Sequence, residues 1–177
     1  INALISMTHR GGVGSDGRTG DGCGLLFDIV NNFFADFFLI KQTLDFGEHF
    51  AVGQIFYYQD VEKLLPKIKK ILKSENLALV AYRRVPVDEK ILGEIAYSCL
   101  PEIFQLFIKP NEKDFNQEAF ETSLFQARKC IEEIYMDDEK LYVCSMSSKT
   151  IVYKGLMLPN AIKEFYLDLN QESFRAS

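Results

Sequence analysis

The sequence predicts an α+β protein, with two sheets or one mixed sheet covered by helices. Two stretches, 60–74 and 116–135, carry apolar residues at helical spacing. Several β-rich runs lie between and after them. Strands occur both between helices and as a close pair near 141–154, the mixture that suggests this class. The chain has 177 residues, 47% hydrophobic and 25% charged, the balance of one soluble globular domain with a sizeable core.

The elements follow in order. Ala3, Leu4 and Met7 share one face of a short helix, which the glycine-rich run 9–24 ends. Leu25 to Val30 reads as a mostly buried strand. Residues 33–44 are apolar on most faces and read as helical. Phe50 to Tyr58 is a core strand, rich in β-formers. Asp60 is placed to cap a helix over 60–74, with Leu64, Leu65, Ile68, Ile71 and Leu72 as its apolar face. Pro66 is tolerated there only near the first turn. Lys67, Lys69, Lys70 and Lys73 form that helix's solvated face. Leu77 to Arg84 is a strand, and VPVDEKILGE a proline- and glycine-punctuated connection. Glu102 to Lys109 is a strand stopped by Pro110. In 116–135, Phe120, Leu124, Ala127, Ile131 and Ile134 form a core stripe. Leu141 to Met146 and Thr150 to Lys154 are expected to pair as a hairpin across Ser147-Ser148-Lys149. A short helix or turn spans 160–168.

Composition excludes several classes. The net charge is −5, which offers no basic footprint for nucleic acid and none for an anionic membrane surface. No segment is apolar for long enough to cross a bilayer; FFLI after Asp36 is far too short. Cys23, Cys99, Cys130 and Cys144 show no C-x-x-C spacing, and His9 and His49 lie far apart, so no metal site is expected. Reduced thiols and a cytoplasmic setting are the expectation. His49, beside Glu48, reads as a loop residue. The chain opens at Ile1 and is expected to be a piece of something longer.

The run HRGGVGSDGRTGDGCG (9–24) holds seven of the chain's eleven glycines. Gly12, Gly14 and Gly17 satisfy G-x-G-x-x-G, but a dinucleotide site needs a strand before the loop and a helix after it. Here a helix precedes, and the three further glycines that follow cannot begin one. Read as a phosphate loop, Gly12 to Thr19 has Arg18 where lysine is needed. What remains is a compact loop whose glycines allow positive φ and close approach of another segment. Asp16 and Asp21 are placed to bond local backbone amides, and Arg10 to brace a carboxylate or a chain end.

ALISMTHRGGVGSDGRTGDGCGLLFDI resembles the start of the glutamine amidotransferase domain of glutamate synthase large subunits. That family carries H-R-G-G/A-x-x-A-D and then T-G-D-G-A-G-I-L; Ser15 and Cys23 stand here where it has alanine. AYRRVPVDEKILGEIAYSCLPEIFQLFI is similar to its R-x-V-P-V-D, L-G-x-x-A and P-x-I-x-Q run. SMSSKTIVYKGLMLPNAIKEFYLDL is similar to its S-L-S-S-R-T-I-V-Y-K-G-M region, with Met146 and Lys149 as departures. The likeness keeps its order along nearly the whole chain.

The resemblance implies part of a class II, N-terminal-nucleophile domain, a four-layer αββα sandwich. It implies hydrolysis of L-glutamine to glutamate and ammonia by an N-terminal cysteine whose own amino group is the base. The ammonia would pass to 2-oxoglutarate in synthase domains of the same polypeptide. FMN, an iron–sulfur cluster and NADPH, NADH or ferredoxin would serve there, with a small reductase subunit as a possible partner. By the same resemblance the nucleophile, the glutamine-binding arginine and the oxyanion residues fall outside 1–177, so these residues alone are expected to be inactive. Arg10 and Gly11 would neighbour the nucleophile, with His9, Gly12 and Asp21 supporting the loop. Cys23, lacking a partner base, is expected to be an idle thiol. The rival reading is a non-catalytic amidotransferase-like module for assembly or regulation.

Overall fold

The computed structural model describes residues 2–30, 33–34, 50–111, 116–135 and 140–174. In order the elements are α1 (Asn2–Ser6), β1 (Cys23–Asp28), β2 (Ala51–Tyr57), α2 (Val61–Ser74), β3 (Leu77–Arg84), α3 (Glu94–Ser98), β4 (Glu102–Pro110), α4 (Gln117–Ile134), β5 (Leu141–Ser147), β6 (Thr150–Gly155) and α5 (Ile162–Phe165), with 3-10 turns between several of them. The strands form a four-stranded sheet ordered β3-β4-β2-β5 and a two-stranded sheet β1-β6. All described pairings are antiparallel.

Alternation along the strands explains the layering. In β2, Ala51, Ile55 and Tyr57 face α2 and α4, while Val52 and Phe56 join the core that reaches β1 and β6. In β4, Phe104, Leu106 and Ile108 face the helices, and Ile103 and Phe107 face the other way. A strand buried on both faces reads as a continuous apolar run, as EIFQLFI does. The order is therefore helices, four-stranded sheet, two-stranded sheet, which are three of the four layers expected. No helix among the described residues is long and apolar enough to cross a membrane.

The helices form where their stripes predicted. Asp60 caps α2 by accepting from the Glu62 amide at 3.0 Å, and Asn116 caps α4 by accepting from the Ala119 amide at 2.8 Å. Pro66 lies well inside α2 rather than in its first turn. The helix runs through it because Leu64, Leu65, Ile68 and Leu72 are buried on the sheet, whereas Pro66 itself is exposed. Packing outweighs the lost backbone bond. Lys67, Lys69, Lys70 and Lys73 lie on the exposed face. Phe33 and Phe34 are helical; the rest of the helix expected over 33–44, and His49, lie outside the described residues.

Two expectations are corrected. Strand β1, expected over 25–30 and mostly buried, runs Cys23–Asp28 and alternates half-buried with exposed residues, Leu26 being 69% exposed. More consequentially, β5 and β6 are not a hairpin: β5 pairs with β2 in one sheet and β6 with β1 in the other. The turn between them is held by side chains instead of a ladder. The Glu121 carboxylate of α4 accepts from the Ser148 amide at 2.6 Å and from the Ser147 hydroxyl at 3.1 Å. The Ser147 hydroxyl oxygen accepts from the Lys149 amide at 3.0 Å. A register shift in the β2–β5 pairing between Gln54 and Ile55 further bends the strand. The chain thus leaves one sheet and enters the next.

Between the sheets lies a polar centre. Arg83 and Asp168 are 6% and 0% exposed and form a two-pronged ion pair, with Nη1 to Oδ1 at 3.1 Å and Nη2 to Oδ2. Arg83 Nε donates to Gln105 Oε1 at 2.8 Å, and Gln105 Nε2 donates to Gln54 Oε1 at 2.9 Å and to the Tyr153 hydroxyl at 2.8 Å. Tyr153 in turn donates to Asp168 Oδ2 at 2.8 Å. Burial first, and then the Asp168 charge, hold that phenol protonated well above its usual range. The guanidinium also lies 5.2 Å from the Phe33 ring centroid and 5.6 Å from that of Phe34. Removing one partner of such a pair leaves the other charge buried and unpaired. Arg83→Met is expected to cost about 3–5 kcal/mol in urea unfolding, and the double change Arg83→Met with Asp168→Leu to recover part of that loss.

Candidate functional site

The glycine-rich run folds into a miniature hairpin. Val13 and Gly20 form an antiparallel bridge, the Gly14 amide donates to Thr19 O at 2.7 Å, and the Asp21 amide donates to Gly12 O at 3.3 Å. Gly17, at φ +70°, turns the tip. At that tip Asp16 Oδ1 accepts from the amides of Thr19 at 2.7 Å and Arg18 at 3.0 Å, and its Oδ2 accepts from the Thr19 hydroxyl at 2.5 Å. These bonds, the Thr19 hydroxyl's foremost, hold the Asp16 carboxyl well below the usual carboxylate range. With a depressed folded pKa, its contribution is complete above about pH 4 and is lost only as pH falls below that range.

Close approach explains the other glycines. A Cβ on Gly20 would lie 2.7 Å from the Met157 carbonyl carbon, inside any permitted contact with backbone. A Cβ on Gly24 would lie 2.9 Å from Lys154 Cβ, its partner across the β1–β6 ladder. A Cβ on Gly11 would sit 3.1 Å from an Asp21 carboxylate oxygen, and one on Gly12 would sit 3.6 Å from the other. Helix α1 precedes the loop and strand β1 follows it, the reverse of the strand-loop-helix order that a dinucleotide or phosphate cradle needs.

Two cavities meet at residues 21–24. The smaller, about 320 Å³, is bordered by Leu4, Thr8, Gly11, Gly12 and Asp21. The larger, about 510 Å³, is bordered by Phe56, Tyr58, Ala96, Cys99 and Lys154. Gly11, Gly12 and Asp21, three of the residues singled out in the sequence, therefore come together on the smaller cavity. Arg10 ends the 3-10 turn Thr8–Arg10 that leads into it. His9 is exposed, with Nδ1 3.1 Å from the Ser6 carbonyl, and does not border either cavity. Asp16 is expected from the sequence only as a local loop residue and Thr19 carries no expectation of its own, yet the two anchor the hairpin tip.

Cys23 borders both cavities. Burial, helped by the Asp21 charge, pushes its thiol up to about 11. Burial likewise pushes the Cys144 thiol up to about 12. Both influences on Cys23 oppose the thiolate, and at Cys144 burial outweighs the opposing pull of the Lys154 and Arg128 charges.

The fold and the loop together define a class of enzyme domain. The family described as glutamine amidotransferases class-II matches residues 1–177, and the chain belongs to it. Its relatives are glutamate synthases. It is 37% identical to the NADH glutamate synthase of Saccharomyces cerevisiae, over 98% of this chain and 9% of that protein. It is 36% identical to the ferredoxin-dependent glutamate synthase 1, chloroplastic/mitochondrial, of Arabidopsis thaliana, over 98% of this chain and 11% of that protein. It is 34% identical to the large chain of the NADPH glutamate synthase of Azospirillum brasilense, over 99% of this chain and 12% of that protein. The chain thus spans about a tenth of the length of the relatives it matches.

Gly20→Ala is expected to cost about 1–3 kcal/mol in urea unfolding, because the Met157 backbone must move. Gly17→Ala, facing open space, is expected to cost only the strain of its positive φ, about 1–2 kcal/mol. In timed alkylation at pH 8 followed by peptide mass mapping, exposed Cys99 is expected to react first, with Cys23 and Cys144 protected until pH approaches their raised values.

Proposed function

We propose that the chain is one domain-forming part of the glutaminase domain of a glutamate synthase, and that its hairpin 11–24 frames the nucleophile. The observation that carries this is the family match along the whole chain, together with a glycine loop whose bare backbone borders a cavity. A cysteine at the mature N-terminus of the parent polypeptide attacks the side-chain amide of L-glutamine, its α-amino group takes the proton, and the thioester formed is hydrolysed to glutamate. Arg10 and Gly11 neighbour that cysteine; His9, Gly12 and Asp21 support the loop. Ammonia leaves for 2-oxoglutarate in the synthase domains, in the cytoplasm, with a small reductase subunit as a further partner.

FMN, an iron–sulfur cluster and the reductant, whether NADH, NADPH or ferredoxin, belong to those other domains. Among the described residues no three His, Cys, Asp or Glu side chains gather as a metal site. Ammonia release from L-glutamine tests the reading. The parent polypeptide is expected to be active and residues 1–177 alone inactive, and Cys23→Ala in the parent is expected to stay within about twofold of wild type. Loss of activity in that variant would make Cys23 the nucleophile and overturn the assignment.

A further inference from the structure

Helix α3 starts without a cap of its own. Its N-cap position is Gly93, which has no side chain to accept from the first amides. Ala96 is only 4% exposed, so its amide needs a protein partner. Both partners come from the glycine hairpin. Asp16 Oδ2 accepts from the Ile95 amide at 3.3 Å across 79 residues of chain, and the Thr19 hydroxyl oxygen accepts from the Ala96 amide at 3.3 Å across 77. Arg18 Nη2 adds a bond to Lys90 O at 3.3 Å just upstream.

Gly93 makes this possible sterically. A Cβ there would lie 2.5 Å from Thr19 Oγ1 and 2.7 Å from the Asp16 carboxyl carbon. Those atoms cannot yield, because Asp16 is already bound by two loop amides and the Thr19 hydroxyl. A serine or aspartate at 93 would cap α3 locally. Glycine there instead gives the cap to the loop, which is the choice that fastens the two segments together.

The fastening joins the walls of both cavities. The hairpin carries Gly11, Gly12 and Asp21 on the smaller cavity, and α3 carries Ala96 on the larger. We propose that Asp16, Thr19 and Gly93 are positioning residues of the glutaminase site, a clasp that fixes the nucleophile-framing hairpin against α3. The inference rests on the glutaminase reading. A loop displaced by about 1 Å from a reacting group costs up to about a hundredfold in rate.

The test uses the parent polypeptide with Thr19→Val, Asp16→Asn and Gly93→Ala, the first two nearly isosteric, and Thr19→Ser as the rescue that keeps the hydroxyl. Thr19→Val and Gly93→Ala are expected to lower kcat for glutamine hydrolysis about tenfold or more with KM within about twofold, and Thr19→Ser to restore most of it. Hydrogen exchange is expected to show Ile95, Ala96 and residues 11–24 losing protection together. A kcat within twofold of wild type in Thr19→Val and Gly93→Ala overturns the proposal, as does loss of protection at 95–96 with 11–24 unchanged. If the wild-type parent releases no ammonia, the glutaminase reading fails and positioning of that site fails with it. Exchange then still decides the clasp itself, joint loss of protection upholding it and independent behaviour overturning it.

Discussion

A carboxylate that water cannot reach sets the relation between the two sheets. Asp168 holds the Arg83 guanidinium of β3 and the Tyr153 hydroxyl of β6, while Gln105 of β4 bridges Arg83 to Gln54 of β2. An apolar interface tolerates sliding; these bonds do not, because a shift of an ångström would strand a buried charge. Gln54 Nε2 is the one buried side-chain polar atom among the described residues without a partner, so the network is nearly closed. The small sheet depends on it most. A two-stranded ribbon is marginal alone, and β1–β6 gains its place from Tyr153, Ile151, Leu25 and Phe27 packing toward the larger sheet and the turn at 167–170.

From there the constraint runs outward to the loop. Tyr153 fixes β6, β6 leads to Met157, and the Met157 backbone is what Gly20 packs against. Tyr166 reinforces the same end by donating to Lys154 O at 2.6 Å. The glycines are therefore not spread for flexibility. Gly17 supplies a turn, Gly20 and Gly24 allow backbone-close contact, and Gly11 and Gly12 leave room for the Asp21 carboxylate. A letter-for-letter nucleotide motif arises here from packing and a tight turn, since what makes such a motif bind phosphate is the helix that follows it.

Much of the fold could be read from the chain because the signals were local. The stripe Phe120, Leu124, Ala127 and Ile131 gave α4, although Ile134, read with it, is exposed, and Asp60 marked the start of α2 by the chemistry of the first-turn amides. The loop's own bonds, Asp16 to the amides of Arg18 and Thr19, are local as well. What failed was judged locally but decided elsewhere. The short Ser-Ser-Lys turn looked like a hairpin, yet Glu121 claims the turn and β1 offers β6 a partner more than a hundred residues away in sequence. Helix α3, which begins where the proline- and glycine-punctuated connection ends, gave no local signal because its cap sits in another part of the chain.

By itself the sequence determined the secondary elements with strong periodicity, the α+β class, the family resemblance and the loop that frames the candidate site. Those properties depend on residues a few positions apart, where spacing and side-chain chemistry suffice. Only the tertiary structure decided which strands share a sheet, that Arg83 meets Asp168 across 85 residues, and that Asp16 and Thr19 serve Ile95 and Ala96. Each is a pairing of polar groups distant in the chain. Burial obliges such groups to find partners, but it does not say which ones until the backbone has brought them together.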